Sequence, residues 1–481
     1  MDILLVHPPK RDQVWAGVPD IFNKQDSYIF PPLGIMYLSS YLHRNTSHRV
    51  DVIDCLPGDL DAEDVVRKVR QVRPRVMGII ACTHNLINVH RIILAVKMAD
   101  ASIRIVLGGP HVTSFPREAA MLEGVDVAVQ GDGEEPLRAL LDAWEAGLDP
   151  QTVPGTVLAR NGAVTLNPLE HQAMDLDVFP FPDRESFPLD GYYTPGMVAR
   201  RATTIISSRG CPNRCVFCNV PQCYRTRSVG NIVDEMQECV ERYGIEEIHF
   251  IDDIFNPTPD RVIAVADEII RRRLKISWGF KASCAGTTYD MLRRAKEAGL
   301  VRMHYGVETY SDEGLRELNK HITIEQIFRV FRWTQELRIR NIAYMIIGNP
   351  HEQTEQSVLA VKGFIRRLNP DFVVYSLFTP YPDAPIFQRG VELGLWDEDC
   401  WKRFMLAPKT DYELPTAWTR YLDKPALLRL FKNVNRSFYF HPRVLARTMC
   451  SLRGFEDFKR TVRGGLSLVK MEFLRAGARR I

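Results

Sequence analysis

Apolar residues in the N-terminal third fall into short runs separated by stretches in which they recur every three or four positions. The runs at 3–7, 50–54, 76–82, 103–107 and 125–129 read as strands, and 33–42 and 62–72 read as helices. Strands that are apolar throughout and alternate with helices predict a parallel sheet covered on both faces. The expected fold of residues 1–147 is therefore a doubly wound, Rossmann-like α/β domain. Ligands of such sheets sit beyond the carboxyl ends of the strands. The loops after His7, Asp54, Cys82, Leu107 and Val129 are the candidate site.

The pattern changes over 148–200. A hairpin-like stretch at 157–164 precedes the proline-punctuated 178–184, and prolines this dense exclude regular helix or central strand. The segment reads as a linker with local β structure. A second series follows over 201–395, with strands expected at 203–207, 247–252, 276–282, 303–308, 342–347 and 372–378. Amphipathic helices such as 231–243 and 291–298 lie between them. Six consecutive βα units predict a partial, TIM-like (β/α)6 barrel with its chemistry at the carboxyl ends of the strands. Residues 396–481 read as a helical C-terminal region. From Pro442 onward it carries ten Lys/Arg against three Asp/Glu.

Composition narrows the class. The 481 residues are 45% hydrophobic and 25% charged, which suits a folded multidomain protein and not a disordered one. Lys+Arg 62 against Asp+Glu 59 leaves +3, so no global field points to nucleic acid. No apolar stretch approaches the ~20 residues of a membrane span. Met1-Asp2 with Pro8-Pro9 close behind lacks the plan of a signal peptide. A cytoplasmic location is expected. Ten unevenly spaced cysteines in so long a chain are no secreted disulfide framework, which leaves thiols in a reducing compartment. The basic C-terminal excess could attract an anionic ligand or draw the protein to an anionic membrane surface, although most basic helices are solvated faces.

Three of the cysteines stand together. After the first strand of the second series comes Ser208-Arg-Gly-Cys211-Pro-Asn-Arg-Cys215-Val-Phe-Cys218. A Cys-x3-Cys-x2-Cys loop can hold three corners of a cubane iron-sulfur cluster and leaves the fourth iron open to a chelating small molecule. A structural zinc with Cys223 or a histidine as fourth ligand is the bland alternative, but zinc motifs favour paired knuckles. The loop's place after a first barrel strand also favours chemistry.

This loop, with Phe217 before its last cysteine, resembles that of the radical S-adenosylmethionine enzymes. The resemblance extends through Arg225-Thr-Arg-Ser228, Phe250-Ile-Asp-Asp-Ile-Phe255, Tyr305-Gly-Val-Glu308, Gly348-Asn-Pro-His-Glu352 and Pro380-Tyr-Pro-Asp-Ala-Pro385. It implies a 4Fe-4S cluster on Cys211, Cys215 and Cys218, with S-adenosylmethionine against Phe217, Asp252, Asp253, Glu308, Gly348 and Glu352. His351 and Asp383 depart from the pattern, standing where relatives usually have glycine. Without the motif, Glu308 would read as a salt-bridged residue at a barrel end.

The first domain resembles the cobalamin-binding domains that precede this module, through Leu4-Leu-Val-His-Pro-Pro9, Pro31-Pro-Leu-Gly-Ile-Met-Tyr-Leu38, Leu107-Gly-Gly-Pro-His-Val-Thr113 and Gly131-Asp-Gly-Glu134. The implied cobalamin contacts are Thr83, His84, Asn85, Gly108, Gly109, Gly131, Gly133 and Glu134. No Gly-x-Gly-x-x-Gly follows the first strand, which argues against a nicotinamide or flavin site. The Asp-x-His-x-x-Gly motif that places a histidine on cobalt is absent, and His84 reads more readily as a hydrogen-bonded residue than as a ligand. His90 and His111 are not assigned as catalysts.

The overall texture, including His441-Pro-Arg443 and the 463–468 stretch, resembles the branch holding the anaerobic magnesium-protoporphyrin monomethyl ester cyclase and related methylases. The resemblance implies a cobalamin-dependent radical enzyme, with methylation of an unactivated carbon first and oxidative cyclisation or rearrangement second. It implies a small-molecule, lipid or tetrapyrrole substrate and a flavodoxin or ferredoxin as electron donor. Methylthiolation of transfer RNA calls for a second trio of cysteines, and the N-terminal domain has only Cys55 and Cys82. A non-enzymatic cobalamin or redox sensor would usually carry an output module, and none is visible.

Overall fold

A computed structural model describes residues 1–14, 29–169, 174–192, 199, 201–410, 412 and 414–450. The 463–468 stretch and most of the basic C-terminal segment lie outside the described residues. So do parts of the expected linker.

The first sheet contains β1 (Asp2–His7), β2 (Arg49–Asp54), β3 (Val76–Ile80), β4 (Arg104–Gly108), β5 (Val127–Val129), β6 (Thr156–Arg160) and β7 (Ala163–Leu166). Their order is β2-β1-β3-β4-β5-β6-β7. The first five pair in parallel, while β6 and β7 add antiparallel at one edge. The hairpin read as part of a linker is thus an extension of this sheet. Val157 is completely buried and Leu158 nearly so, and that burial anchors the hairpin despite the prolines beyond it. The strand order reverses at β1, so β1 and β3 flank the switch point where such folds bind ligands. Helices cover both faces; Ala62–Val72 begins at an Asp61 capping box and ends at Arg73 with φ 50°.

The second sheet is wholly parallel in the order β15-β14-β13-β12-β11-β8. It comprises β8 (Ala202–Ile205), β11 (Glu247–Phe250), β12 (Ser277–Ala282), β13 (Leu300–Glu308), β14 (Arg340–Ile347) and β15 (Phe372–Leu377). Between β8 and β11 runs a two-stranded ribbon, β9 (Ser208–Arg209) with β10 (Arg225–Thr226), paired antiparallel. On β13 the alternation is clean: Met303, Tyr305 and Val307 are fully buried in the core shared with the outer helices. Arg302, His304 and Glu308 take the other face, where Arg302 meets Glu247 at 3.1 Å and the His304 ring lies 4.4 Å from that of His249. The barrel interior is accordingly polar.

Among the described residues the C-terminal helices form no core of their own. Lys424–Tyr439 packs into the barrel core through Leu427, Leu430, Phe431 and Val434. Cys400–Leu406 instead puts Cys400, Trp401, Phe404 and Met405 into a core of the first sheet. Short helices with one apolar face each must borrow a partner surface. Here they borrow from both sheets and tie them together.

Candidate active site

The three cysteines lie on the irregular loop between β9 and β10, all partly exposed and unbridged. The loop is closed at its base, where Cys211 N–H donates to the Pro221 carbonyl at 2.9 Å. Gly210 has φ +83°, and a Cβ there would lie 2.3 Å from the Cys223 carbonyl oxygen. Only glycine lets the two ends approach this closely. The loop is also tied to the barrel rim. Val216 N–H donates to Leu318 O, Ile386 N–H to Val216 O, and Asn319 Nδ2 to Arg214 O. Asn219 Nδ2 donates to both oxygens of Asp383 at 3.0 Å, which gives that departure from the family pattern a local role. The other departure, His351, joins its Nε2 to Thr309 Oγ1 at 3.0 Å.

Burial pushes the three thiols up, Cys215 to about 11, and the sulfurs act on one another electrostatically. They are neighbours in space. Iron would displace their protons. Among the described residues no three His, Cys, Asp or Glu side chains converge as around one metal ion. In a cubane each thiolate holds a different iron, so the sulfurs must ring a volume. Three thiol donors on one short loop fit such a cluster.

Facing this loop are the ends of the other strands. Phe217 lies on an apolar floor with Leu318, Ile346, Phe378 and Trp418. Asp253 is exposed in the mouth, and desolvation raises its carboxyl against the pull of Lys281. Asp252, also expected at S-adenosylmethionine, holds the backbone beside it. It is 2% exposed and accepts from Ser207 N–H at 2.6 Å, from the Ser207 hydroxyl and from Ser208 N–H, so its oxygens hold the turn from β8 into β9. Glu308 ends β13 at φ +67°, a conformation that costs a non-glycine residue on the order of 1–3 kcal/mol. Lys320 Nζ donates to its Oε1 at 2.8 Å and to Gly306 O at 2.7 Å. After β14, Glu352 Oε2 accepts from Gly348 N–H at 2.6 Å and Asn349 N–H at 3.0 Å. Burial pushes this carboxyl up to about 8. Glu352 Oε1, the oxygen that carries the proton when the carboxyl is neutral, and Asn349 Oδ1 are buried polar atoms with no hydrogen-bond partner. Unpartnered buried polar atoms beside a cysteine loop suit a polar ligand such as S-adenosylmethionine.

At the carboxyl ends of the first sheet, 83–85 form a short turn after β3. Asn85 Oδ1 accepts from Cys82 N–H at 2.9 Å, and Thr83 Oγ1 meets His111 Nδ1 at 3.1 Å. Burial, with Lys10 and His7 nearby, lowers His84 to about 4, so its imidazole is neutral. Gly109 has φ +101°, and a Cβ there would strike Ile80 at 2.7 Å and the Ala81 carbonyl at 2.8 Å. A Cβ at Gly108 would meet nothing within 4 Å, so that strand end opens onto free space. Such a cradle fits the tail of a large cofactor. Gly131, φ +75°, and Gly133 flank Asp132 beyond β5. Glu134, expected at cobalamin, is 4% exposed and bonded to Arg209 at 2.5 Å, so it faces the cysteine ribbon.

Sequence reasoning missed three groups. His7 Nδ1 pairs with Asp54 Oδ1 at 2.8 Å while the Tyr192 hydroxyl donates to Asp54 Oδ2 at 2.7 Å, at the carboxyl ends of β1 and β2. Lys320 as the partner of Glu308 carried no signal. Arg209 and Arg225 were visible only as members of motifs.

Comparison with known proteins agrees with this architecture. The radical SAM superfamily model matches residues 205–361 and the B12 binding domain model residues 22–141. An uncharacterized methyltransferase of Pyrococcus horikoshii is 28% identical over 470 residues, 96% of this chain and 98% of that one. The anaerobic magnesium-protoporphyrin IX monomethyl ester cyclase of Rubrivivax gelatinosus is 27% identical over 91% of this chain and 77% of its own. The structure of the cobalamin-dependent S-adenosylmethionine radical enzyme OxsB shares the fold at a TM-score of 0.68 and 18% identity, covering 98% of this chain and 71% of that one. A B12-type sheet followed by a six-stranded barrel with this cysteine loop, matched in that order along one chain, makes it a member of the cobalamin-dependent radical S-adenosylmethionine enzymes.

Proposed function

We propose that this protein methylates an unactivated carbon of a small molecule, lipid or tetrapyrrole. The observation that carries the reading is the cysteine loop at the end of the first barrel strand, facing the unpartnered polar atoms after β14 and joined to the carboxyl-end edge of the first sheet. When bound, the cluster and S-adenosylmethionine supply a hydrogen-abstracting radical and cobalamin supplies a transferable methyl group. The chain's own part is holding and shielding. Cys211, Cys215 and Cys218 hold the cluster. Asp253, Glu308, Asn349 and the Gly348–Glu352 turn present polar atoms to S-adenosylmethionine, and Phe217 seals that side with an apolar floor. Thr83, neutral His84, Asn85, Gly108, Gly109, Gly131 and Gly133 line the cobalamin side.

Methylation stands first because the Pyrococcus horikoshii relative that matches nearly end to end is named a methyltransferase. Oxidative cyclisation is the second reading, favoured by the cyclase match over 91% of the chain. The reaction needs an external electron, for which a reduced flavodoxin or ferredoxin is proposed, in a reducing cytoplasm where the cluster thiols stay free. Among the described residues no helix is long and apolar enough to cross a membrane.

The test is anaerobic reconstitution with iron, sulfide and cobalamin, then reduction and addition of S-adenosylmethionine. Wild type should form 5'-deoxyadenosine and S-adenosylhomocysteine, and Cys215→Ala should lose the former. Deoxyadenosine alone would move the assignment to the cyclase type. Neither product from loaded wild type, with candidate substrates present, would sink the reading.

A further inference from the structure

The ribbon that carries the cysteine loop is fastened to the other half of the molecule. Arg209 and Arg225 face each other across β9 and β10, so they bracket the loop at its two roots. Arg209 Nη1 lies 2.9 Å from Asp132 Oδ1 and Nη2 2.5 Å from Glu134 Oε1, while Arg225 Nη1 lies 2.5 Å from Asp132 Oδ2. Both oxygens of Asp132 are thereby shared between two guanidinium groups. The Arg209 guanidinium also sits over the rings of Phe179 and Tyr37, at 4.8 and 5.6 Å. Two residues past Arg225, Arg227 joins Glu235 and meets the Tyr37 hydroxyl at 3.3 Å.

Burial alone would lower Arg209; Glu134 and Asp132 more than offset it, so the guanidinium stays charged. Side-chain exposures of 5% for Arg225 and Glu134, and of 20% and 18% for Arg209 and Asp132, leave the network largely but not wholly shielded from solvent screening. A buried ion network of this kind adds little net stability over apolar packing, but its forked geometry fixes distance and angle. The acids are placed where that matters: Asp132 and Glu134 follow β5 at the ligand-facing edge of the first sheet, and the arginines lie two residues before Cys211 and seven after Cys218.

We propose that Arg209, Arg225, Asp132 and Glu134 are positioning residues that set the cluster loop relative to the cobalamin-facing edge of the first sheet. Their purpose rests on the proposed function, because only a reaction that uses both cofactors needs the two edges in register. Lysine would keep the charge of Arg209 but not the fork that grips two carboxylates.

The test uses the full chain in two states. In the cofactor-free protein, Asp132→Asn should raise amide hydrogen exchange about tenfold in both 131–134 and 208–227, leaving β1, β3, β13 and β14 as in wild type. Asp149→Asn, which breaks the exposed pair with Arg160, should change neither segment. In the reconstituted protein, Asp132→Asn should keep its iron and its 5'-deoxyadenosine while S-adenosylhomocysteine falls about tenfold, since methyl transfer to cobalt depends on the two edges being aligned. The dipolar coupling between reduced cluster and cob(II)alamin should spread over a wider range of distances. If Asp132→Asn folds poorly, Arg209→Lys carries the same expectations. Unchanged exchange in 208–227, or loss of iron and both products in step with a lower Tm, would overturn the proposal. Because exchange is read without cofactors, it still decides the clamp if wild type makes neither product and the functional reading falls.

Discussion

Glu352 is the clearest case of a side chain whose protonation depends on its place in the fold. Its ordinary value of 4.5 rises to about 8 because burial penalises the carboxylate more than two backbone N–H groups favour it. Folding therefore takes up a proton between pH 4.5 and 8, and stability falls as pH rises through that window. Glu352→Gln keeps an acceptor for Gly348 and Asn349 without the charge. Urea midpoints at pH 5, 6.5, 8 and 9 should show the variant gaining on wild type up to pH 8 and level beyond; a constant difference would mean the carboxyl is not shifted. Lys320→Met removes the cation paired with the strained, nearly buried Glu308 carboxylate and should cost about 3 kcal/mol in the same denaturation experiment. These residues mark how far single positions are legible. The cysteines are readable because metal ligation leaves its geometry in the spacing of neighbours along the chain. Glu134 and Asp252 are not, because their partners Arg209 and Ser207 lie 75 and 45 residues away and only folding brings them together.

At the scale of elements, the two residues each of β9 and β10 form the frame of the site, and nothing so short leaves a hydrophobic period. The barrel strands were legible because their outward faces alternate with a polar interior, and the parallel strands of the first sheet because both faces are covered. In sequence the 156–166 hairpin merges into a linker, since the prolines around it obscure that β6 continues the sheet beyond β5. What the ribbon contributes can be measured through Gly210. Alanine there would bring Cβ to 2.3 Å from the Cys223 carbonyl and hold a left-handed φ that costs an L-residue roughly 1–2 kcal/mol. Gly210→Ala should retain wild-type circular dichroism but take up less than about half the iron on reconstitution, since closing the loop, not building the sheets, is what the glycine permits. Full iron uptake would show that the loop closes without it.

At the scale of the whole molecule, the C-terminal region reads as a helical unit in sequence because amphipathic stripes do not say which surface they cover. In the structure Cys400–Leu406 covers the first sheet and Lys424–Tyr439 covers the barrel, so one short stretch of chain spans both halves. Together with the Arg209 network, this gives the two cofactor-facing edges an apolar and an ionic fastening. The apolar one is tested at Phe404, which is fully buried and sits edge-on to Trp401 at 6.0 Å and to Tyr412 at 5.9 Å. Phe404→Ala should cost about 3–5 kcal/mol through the lost burial and the cavity left behind. That loss falls on the first sheet's core, whereas the barrel core contains none of these side chains. Scanning calorimetry of the cofactor-free protein should therefore show one component moving down by roughly 10 °C while another stays near the wild-type position. A single transition that shifts as a whole would mean that the remaining contacts, the ionic fastening chief among them, keep both halves in one cooperative unit, and combining Phe404→Ala with Asp132→Asn should then split it.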